Sequence, residues 1–435
     1  MITKNNIWAW AIDNPVKTII ITGVIIRLVL AMVYQHITLY PDSEDYFVLA
    51  KRLLIPDLSG YEGQRSPGYP VLLAISNLSH IVTILLQACM GIVTLILIYK
   101  TCLALDISKK ISLIVTLILT FYLPTIFFEF SLLSETLTLL FIILVFYLFF
   151  NIWKNKSTHY LLLGLSCGYL VLIKPFYIFL PTILFILFFL KNLSNRKHLL
   201  RAIYILIIPA IMFLGWSYVN KTNTGYFTST TFYGFNLAQN CVSFAEKTTP
   251  EYTEIGEIYA KYRDNRISDK EIAMTIWEAY PELEEKTGLS FPDLSKKLYD
   301  YSITTIKENP GEYIKQVFIS WRDFWKTSLY WEYDSVALPY ANNIILYICY
   351  AERILLQLLK IMFVLLIPYN IIRSISKRKL TTATIVSLIV LIASVLQALA
   401  TYGTNSRFSF PFEVVIVLSV LLNIIEYRKK LVIHS

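Results

Sequence analysis

The chain is poor in the residues that build metal centres, disulfide frameworks and soluble surfaces. Its five cysteines, at positions 89, 102, 167, 241 and 349, show no paired spacing, and four of them sit in or beside apolar runs. A disulfide-stapled fold and a zinc site are therefore not indicated, and the cysteines read as small core residues. The five histidines are scattered, with no His-x-x-x-His pair. Charged residues make up 16% of the 435, against 56% hydrophobic, well away from the balance of a water-soluble domain. No repeat of roughly 20 to 50 residues and no low-complexity tract is visible, so a solenoid or a transporter built from tandem halves finds no support.

What is present instead is a succession of apolar runs near the length of about 17 to 25 residues that an α-helix needs to cross the hydrocarbon of a bilayer. They fall at 19–37, 81–99, 111–128, 132–153, 161–173, 178–190, 203–219, 344–368, 382–401 and 410–425, which predicts about ten spans, two of them short. The first run is too long for a removable leader and lacks a small-residue cleavage site, so it reads as a signal anchor. The expected fold is an all-α membrane protein with a 1–219 transmembrane module, a mainly helical extracytoplasmic segment at 220–340 and C-terminal transmembrane helices at 341–435.

Charge distribution sets the orientation. Residues 220–340 carry 18 acidic and 13 basic side chains, whereas the remainder carries 12 acidic and 26 basic. The basic residues gather in short connections, such as Lys109 and Lys110, Lys154 and Lys156, and Lys377 and Arg378. With ten spans these connections share a side with Lys4 and Lys17, and the positive-inside rule makes that side the cytoplasm. Both termini are then expected to be cytoplasmic, in a bacterial inner (plasma) membrane. Topology accounts for the positive excess, and no nucleic-acid partner is required.

The chemistry gathers on the opposite side. The stretch "TLYPDSEDYFVLAKRLL" places Asp42, Glu44 and Asp45 just beyond the first span, within an outer loop at 38–70. Pro41 and Asp42 open an amphipathic helix carrying Tyr46, Leu49, Ala50 and Leu53 on one face. Asp42 suits three roles: an N-cap, a general base worth about 10² to 10⁴ in rate, or a divalent-metal ligand together with Asp45. Glu129 and Glu135 flank the turn in "FFEFSLLSETLTLLF". An acid within a membrane helix costs about 2.5–3.5 kcal/mol at mid-bilayer, so Glu135, the deeper of the two, points to a polar cavity, while Glu129 has a plain reading as a water-facing residue. Arg65, Lys174 and Arg407 are the cations on this side. A guanidinium grips phosphate oxygens bidentately and an ammonium neutralises them as a point charge. Snorkelling to headgroups is the plain alternative and fits Lys174 best. Arg407 lies in "GTNSRFSFP", among hydroxyl and amide groups. Together these residues describe a membrane-edge site with carboxylates for proton chemistry and cations for an anion such as a lipid carrier's phosphate.

The order of "PDSEDY", "RSPGYPVLLA", "SLLSETLTLLF", "NPGEYIKQVFISWRDFW" and "SRFSFPFEVVIVL" along the chain resembles the GT-C class of polytopic glycosyltransferases, in particular the protein O-mannosyltransferase and lipid A aminoarabinose transferase branch. The resemblance implies an enzyme that moves a sugar, with inversion, from a polyprenyl-phosphate-linked donor to a hydroxyl of an acceptor glycan, lipid or protein at the outer leaflet. It implies Asp42 as the base, Glu135 as an acid that assists it or orients the acceptor, and Arg65 and Arg407 on the donor phosphate, with Lys174 a further candidate there. Glu44, Asp45, Tyr69 and Glu129 complete the set as candidates for substrate binding. Where the branch often shows Asp-Glu, this chain has Asp42-Ser43-Glu44-Asp45, which leaves the partner acid open. Where relatives commonly have Arg-Tyr, it has Arg407-Phe408. Two arginines suffice for a monophosphate leaving group, so no cofactor is obligatory, although a divalent metal is possible. The competing classes are a transporter or lipid-linked-glycan flippase, which tends to bury charge at mid-membrane or show paired repeats, and a noncatalytic subunit of a glycan-assembly complex.

Overall fold

So apolar a backbone, placed in lipid, satisfies its own polar groups only by closing them along helices. The computed structural model of the chain describes residues 4–193, 195–265, 272–327, 329–403 and 405–434. Among these there is no strand, only an isolated bridge between Thr38 and Ser131. Among the described residues seven helices are long and apolar enough to cross a membrane: Pro15–Tyr34, His80–Ala104, Glu135–Trp153, Arg196–Thr224, Ala341–Ser376, Thr382–Ala400 and Asn405–Arg428. Lys109–Thr120 and Leu123–Glu129 pass the same test as a pair but bend by 59° at their break, and Tyr160–Ile173 and Pro175–Lys191 are shorter apolar helices. The protein is thus an all-α, multi-pass membrane protein.

The breaks have local causes. Pro124 lies in the first turn of Leu123–Glu129, where its missing N–H is tolerated. The Leu123 amide donates to Glu352 Oε2 at 3.1 Å, so a carboxylate of the Ala341–Ser376 helix caps the restart. Lys174 precedes Pro175, and a pre-proline residue is kept out of the helical region by its neighbour's ring. It adopts φ −141° and ψ 108°, ending one short helix before the next begins.

Two seams position the candidates within residues 38–70. The Thr38 amide donates to Phe130 O at 3.0 Å, the Leu132 amide donates to Thr38 O at 3.1 Å, and Ser43 Oγ donates to Leu132 O at 2.8 Å. The start of the Pro41–Leu54 helix is thereby fastened to the turn that leads into Glu135. Gly68 makes the second seam, because a Cβ there would lie 2.4 Å from the backbone nitrogen of Ile173. Only a glycine lets the loop before it settle against the end of Tyr160–Ile173, beside Lys174.

Between Thr224 and Ala341 the chain folds into helices Tyr233–Gln239, Thr253–Asp264, Thr275–Thr287, Phe291–Glu308 and Pro310–Phe324. They close over their own core, in which Phe235 stacks between Trp277 and Phe291 with ring centroids 4.7 and 4.8 Å apart. The sequence pattern predicts a helix from Asp269 to Tyr280; residues 269–271 lie outside the described residues, and the helix runs Thr275–Thr287. Ile314 and Phe318 are exposed on Pro310–Phe324, as an interfacial helix requires.

Candidate active site

Asp42 is the second residue of the Pro41–Leu54 helix and not its N-cap, which corrects the capping interpretation. Tyr40 occupies the cap, and its amide donates to Ser43 Oγ at 3.0 Å. Freed from capping, the Asp42 carboxylate bridges two guanidinium groups. Its Oδ1 accepts from Arg65 Nη2 and its Oδ2 from Arg407 Nη1, each at 2.7 Å.

Each arginine continues the chain of charges. Arg65 also donates from Nη2 to Asp45 Oδ2 at 2.8 Å. Arg407 Nε donates to Glu135 Oε1 at 2.6 Å, and Lys174 Nζ reaches the same oxygen at 2.8 Å. Asp45, Arg65, Asp42, Arg407, Glu135 and Lys174 therefore form one alternating network of three carboxylates and three cations, drawn from four distant parts of the sequence. Lys174, expected to suit snorkelling, instead turns inward, with its Nζ 5.2 Å from the Phe408 ring centroid.

Burial alone raises the Asp42 carboxyl, but the charges of Arg65 and Arg407 and their hydrogen bonds outweigh it and hold the group well below the usual carboxylate range. Burial works against the Arg65 charge too, and Asp42 and Asp45 override it, keeping that guanidinium protonated. The Asp42 and Asp45 side chains are 29% and 34% exposed and Glu135 0%, so solvent reaches the network at its aspartate end. Glu135 Oε2 is buried and has no hydrogen-bond partner among the described residues.

Two aromatic rings lie against Arg65: its guanidinium carbon is 4.8 Å from the Tyr46 ring centroid and 4.5 Å from that of Phe232. Tyr46 was within reach of sequence reasoning, since Asp42, Asp45 and Tyr46 recur at the spacing of one helix face. Phe232 carries no such signal. It arrives from the helical unit after Thr224, which grips the loop before Gly68. The Thr231 amide donates to Gly63 O at 2.9 Å, and Thr230 Oγ1 donates to Gln64 O at 2.6 Å.

The remaining candidates sit apart from the network. Glu44 is exposed, two residues round the helix from Asp42. Tyr69 is fully buried; its hydroxyl donates to Gln87 Oε1 at 2.9 Å and its ring meets Tyr46 edge-on at 4.9 Å, so it supports Tyr46 from behind. Glu129 does not face water. It is 0% exposed and takes Arg27 Nε at 2.7 Å and Nη2 at 2.5 Å on its two oxygens. Gly91 makes room for this pair, since a Cβ there would fall 1.9 Å from Glu129 Oε1. Arg27 was visible as a lone cation inside the first span, a signal that calls for a partner. A second buried pair, Lys360 with Glu413 at 2.8 Å, joins the long helix to the last.

Among the described residues no group of three or more His, Cys, Asp or Glu is arranged to hold a metal ion. The position between Asp42 and Asp45, where a divalent ion was considered, is spanned by Arg65.

No family model and no curated protein matches the chain. Among solved structures the chain is similar to the Archaeoglobus fulgidus oligosaccharyltransferase, solved tethered to an acceptor peptide containing the NVT sequon. The likeness has a TM-score of 0.48 at 12% identity and covers 97% of this chain and 50% of that one. This chain thus spans about half the length of that protein.

Proposed function

We propose that the protein is a GT-C-type glycosyltransferase of the bacterial inner membrane, moving a sugar from a polyprenyl-phosphate donor to an acceptor hydroxyl on the extracytoplasmic side. The observation that carries this is the network itself: an aspartate at solvent's edge, held between two arginines, with a buried glutamate one step further in. That combination supplies a base, two forks for phosphate oxygens and a buried carboxylate that orients one of the forks.

In the reaction, the acceptor oxygen forms a bond to the anomeric carbon from the face opposite the phosphate, and its proton passes to Asp42. The bond between that carbon and the phosphate oxygen breaks, and its electron pair stays on the lipid phosphate. Charge on the leaving phosphate grows from one negative charge towards two, and Arg65 and Arg407 stabilise that increase, which lowers the barrier because it is greatest late in the step. Glu135, buried beneath them, holds Arg407 and Lys174 through Oε1 and so orients the cations that face the phosphate. The guanidinium pair provides the positive charge, so the mechanism needs no obligatory metal.

A transport path lined by charge is less well supported. The other buried charges, Arg27 with Glu129 and Lys360 with Glu413, are closed on one another.

The test uses purified full-length protein in lipid nanodiscs, incubated with radiolabelled polyprenyl-phosphate hexoses and pentoses and a cell-envelope extract. Mass spectrometry should find an acceptor that gains one sugar with the wild type and none with Asp42→Asn. Transfer from no member of the panel removes the glycosyltransferase assignment, and full transfer by Asp42→Asn removes the base.

A further inference from the structure

We infer that in the ligand-free protein Asp42 occupies the place taken by the donor's phosphate, so that donor binding displaces the carboxylate, frees the base and has to precede attack by the acceptor. This rests on the glycosyltransferase assignment and adds an order of events to it.

The geometry supplies three reasons. First, the Asp42 carboxylate offers one oxygen to each arginine, both at 2.7 Å. A sugar phosphodiester carries two non-bridging oxygens that satisfy the same pair of forks. Second, each arginine keeps an anchor that does not depend on Asp42. Arg65 is held by Asp45 and lies against the rings of Tyr46 and Phe232, and Arg407 is held by Glu135. Removal of the Asp42 carboxylate therefore leaves the phosphate site standing. Third, Asp42 is the part-exposed member between two arginines that are 15% and 13% exposed, so the exchange occurs where an incoming headgroup arrives.

A carboxylate with both oxygens engaged by guanidinium groups is a poor proton acceptor, whatever its position. Once phosphate takes the arginines, the displaced carboxylate has its lone pairs free to accept the proton of an acceptor hydroxyl on the face of the anomeric carbon opposite the phosphate. After transfer it carries the acceptor's proton. Loss of that proton to solvent restores the carboxylate, which competes again for the arginines and promotes release of the lipid phosphate.

The experiment measures binding of polyprenyl monophosphate, with the corresponding polyprenyl alcohol as control, to full-length protein in nanodiscs. Asp42→Asn should bind the phosphate about tenfold tighter or more, the equivalent of one charge-assisted hydrogen bond no longer displaced. Asp45→Asn removes the same charge from the same arginine without vacating the bridge, and should gain much less. Equal gains in the two variants, or no gain in Asp42→Asn, overturn the inference and leave the glycosyltransferase assignment intact. Phosphate binding no better than alcohol binding in all three proteins overturns both. Should Asp42→Asn fail to accumulate, carbodiimide-coupled amine labelling of the wild type decides the point. Labelling of Asp42 should rise when polyprenyl monophosphate saturates the site, and unchanged or reduced labelling counts against displacement.

Discussion

Asp42 joins two arginines that are otherwise anchored by different helices, and its replacement separates a chemical role from a structural one. Asp42→Asn keeps the shape and one hydrogen-bonding oxygen but removes the basicity. We expect transfer to fall by about 10² to 10⁴, with a loss of stability of about 1–3 kcal/mol from the weakened hydrogen bonds, read by thermal unfolding in detergent. The pH dependence of that stability follows from the direction of the shift. The folded carboxyl lies below its unfolded value, so its contribution is complete above the ordinary aspartate range and is lost as pH falls towards the folded value. The gap in unfolding temperature between wild type and Asp42→Asn should hold steady from neutral pH to about pH 5 and narrow below about pH 4. A gap that closes nearer neutrality would mean that Asp42 is not held by the arginines. Arg407→Lys keeps the charge but loses the planar fork that meets Asp42 and Glu135 together. Its transfer rate should drop at least about tenfold even with donor saturating, a loss of roughly 1.4 kcal/mol, and a rate equal to wild type would show that charge alone suffices.

At the level of the element, the site is assembled from places where helices stop. Asp42 lies in the first turn of one helix, Glu135 opens another, Lys174 sits at a proline-enforced break and Arg407 lies in the opening helical piece, Asn405–Ser409, of the last span. Helix termini put polar side chains at the membrane edge without burying them in lipid, which is why four such ends can converge. The fit at Gly68 is the most sensitive of these joints. Gly68→Ala places a Cβ against the Ile173 backbone, which cannot yield as a side-chain tip does, so we expect about 1–3 kcal/mol of destabilisation, together with loss of transfer as Arg65 and Lys174 are pushed apart. Wild-type activity and unfolding temperature in this variant would mean that the seam is looser than drawn. Phe232 tests the joint with the helical unit. Phe232→Leu keeps much of the apolar bulk but removes the ring face over Arg65, a contact worth about 0.5–2 kcal/mol. Weaker binding of polyprenyl monophosphate with an unchanged unfolding temperature is the expected result.

Across the whole molecule, buried ion pairs fasten distant helices together. Lys360 Nζ donates to Ser409 Oγ and to the carbonyl of Lys326, both at 3.0 Å, while Tyr122 donates to Glu413 at 2.8 Å. This ties the long helix, the bent pair and the segment bearing Arg407 into one body. Breaking one partner leaves the other charge buried and alone, so Lys360→Met should cost about 3–5 kcal/mol. Adding Glu413→Gln should recover part of the loss, and a double variant no more stable than the single one would show that the pair is not coupled.

The sequence by itself determined the helical, membrane-spanning character, since long apolar runs leave a backbone in lipid no other way to pair its amides. It also marked Asp42, Glu135, Arg65, Lys174 and Arg407, because ionised groups at span ends are costly enough to stand out. It misjudged Glu129, whose partner Arg27 is 102 residues away, since apolar periodicity does not record which charge meets which. The tertiary structure alone decided that Asp42 bridges two arginines, that Lys174 faces inward and that Phe232 closes over Arg65. Ion pairs and ring contacts act over a few ångströms, and those distances exist only after the helices have packed.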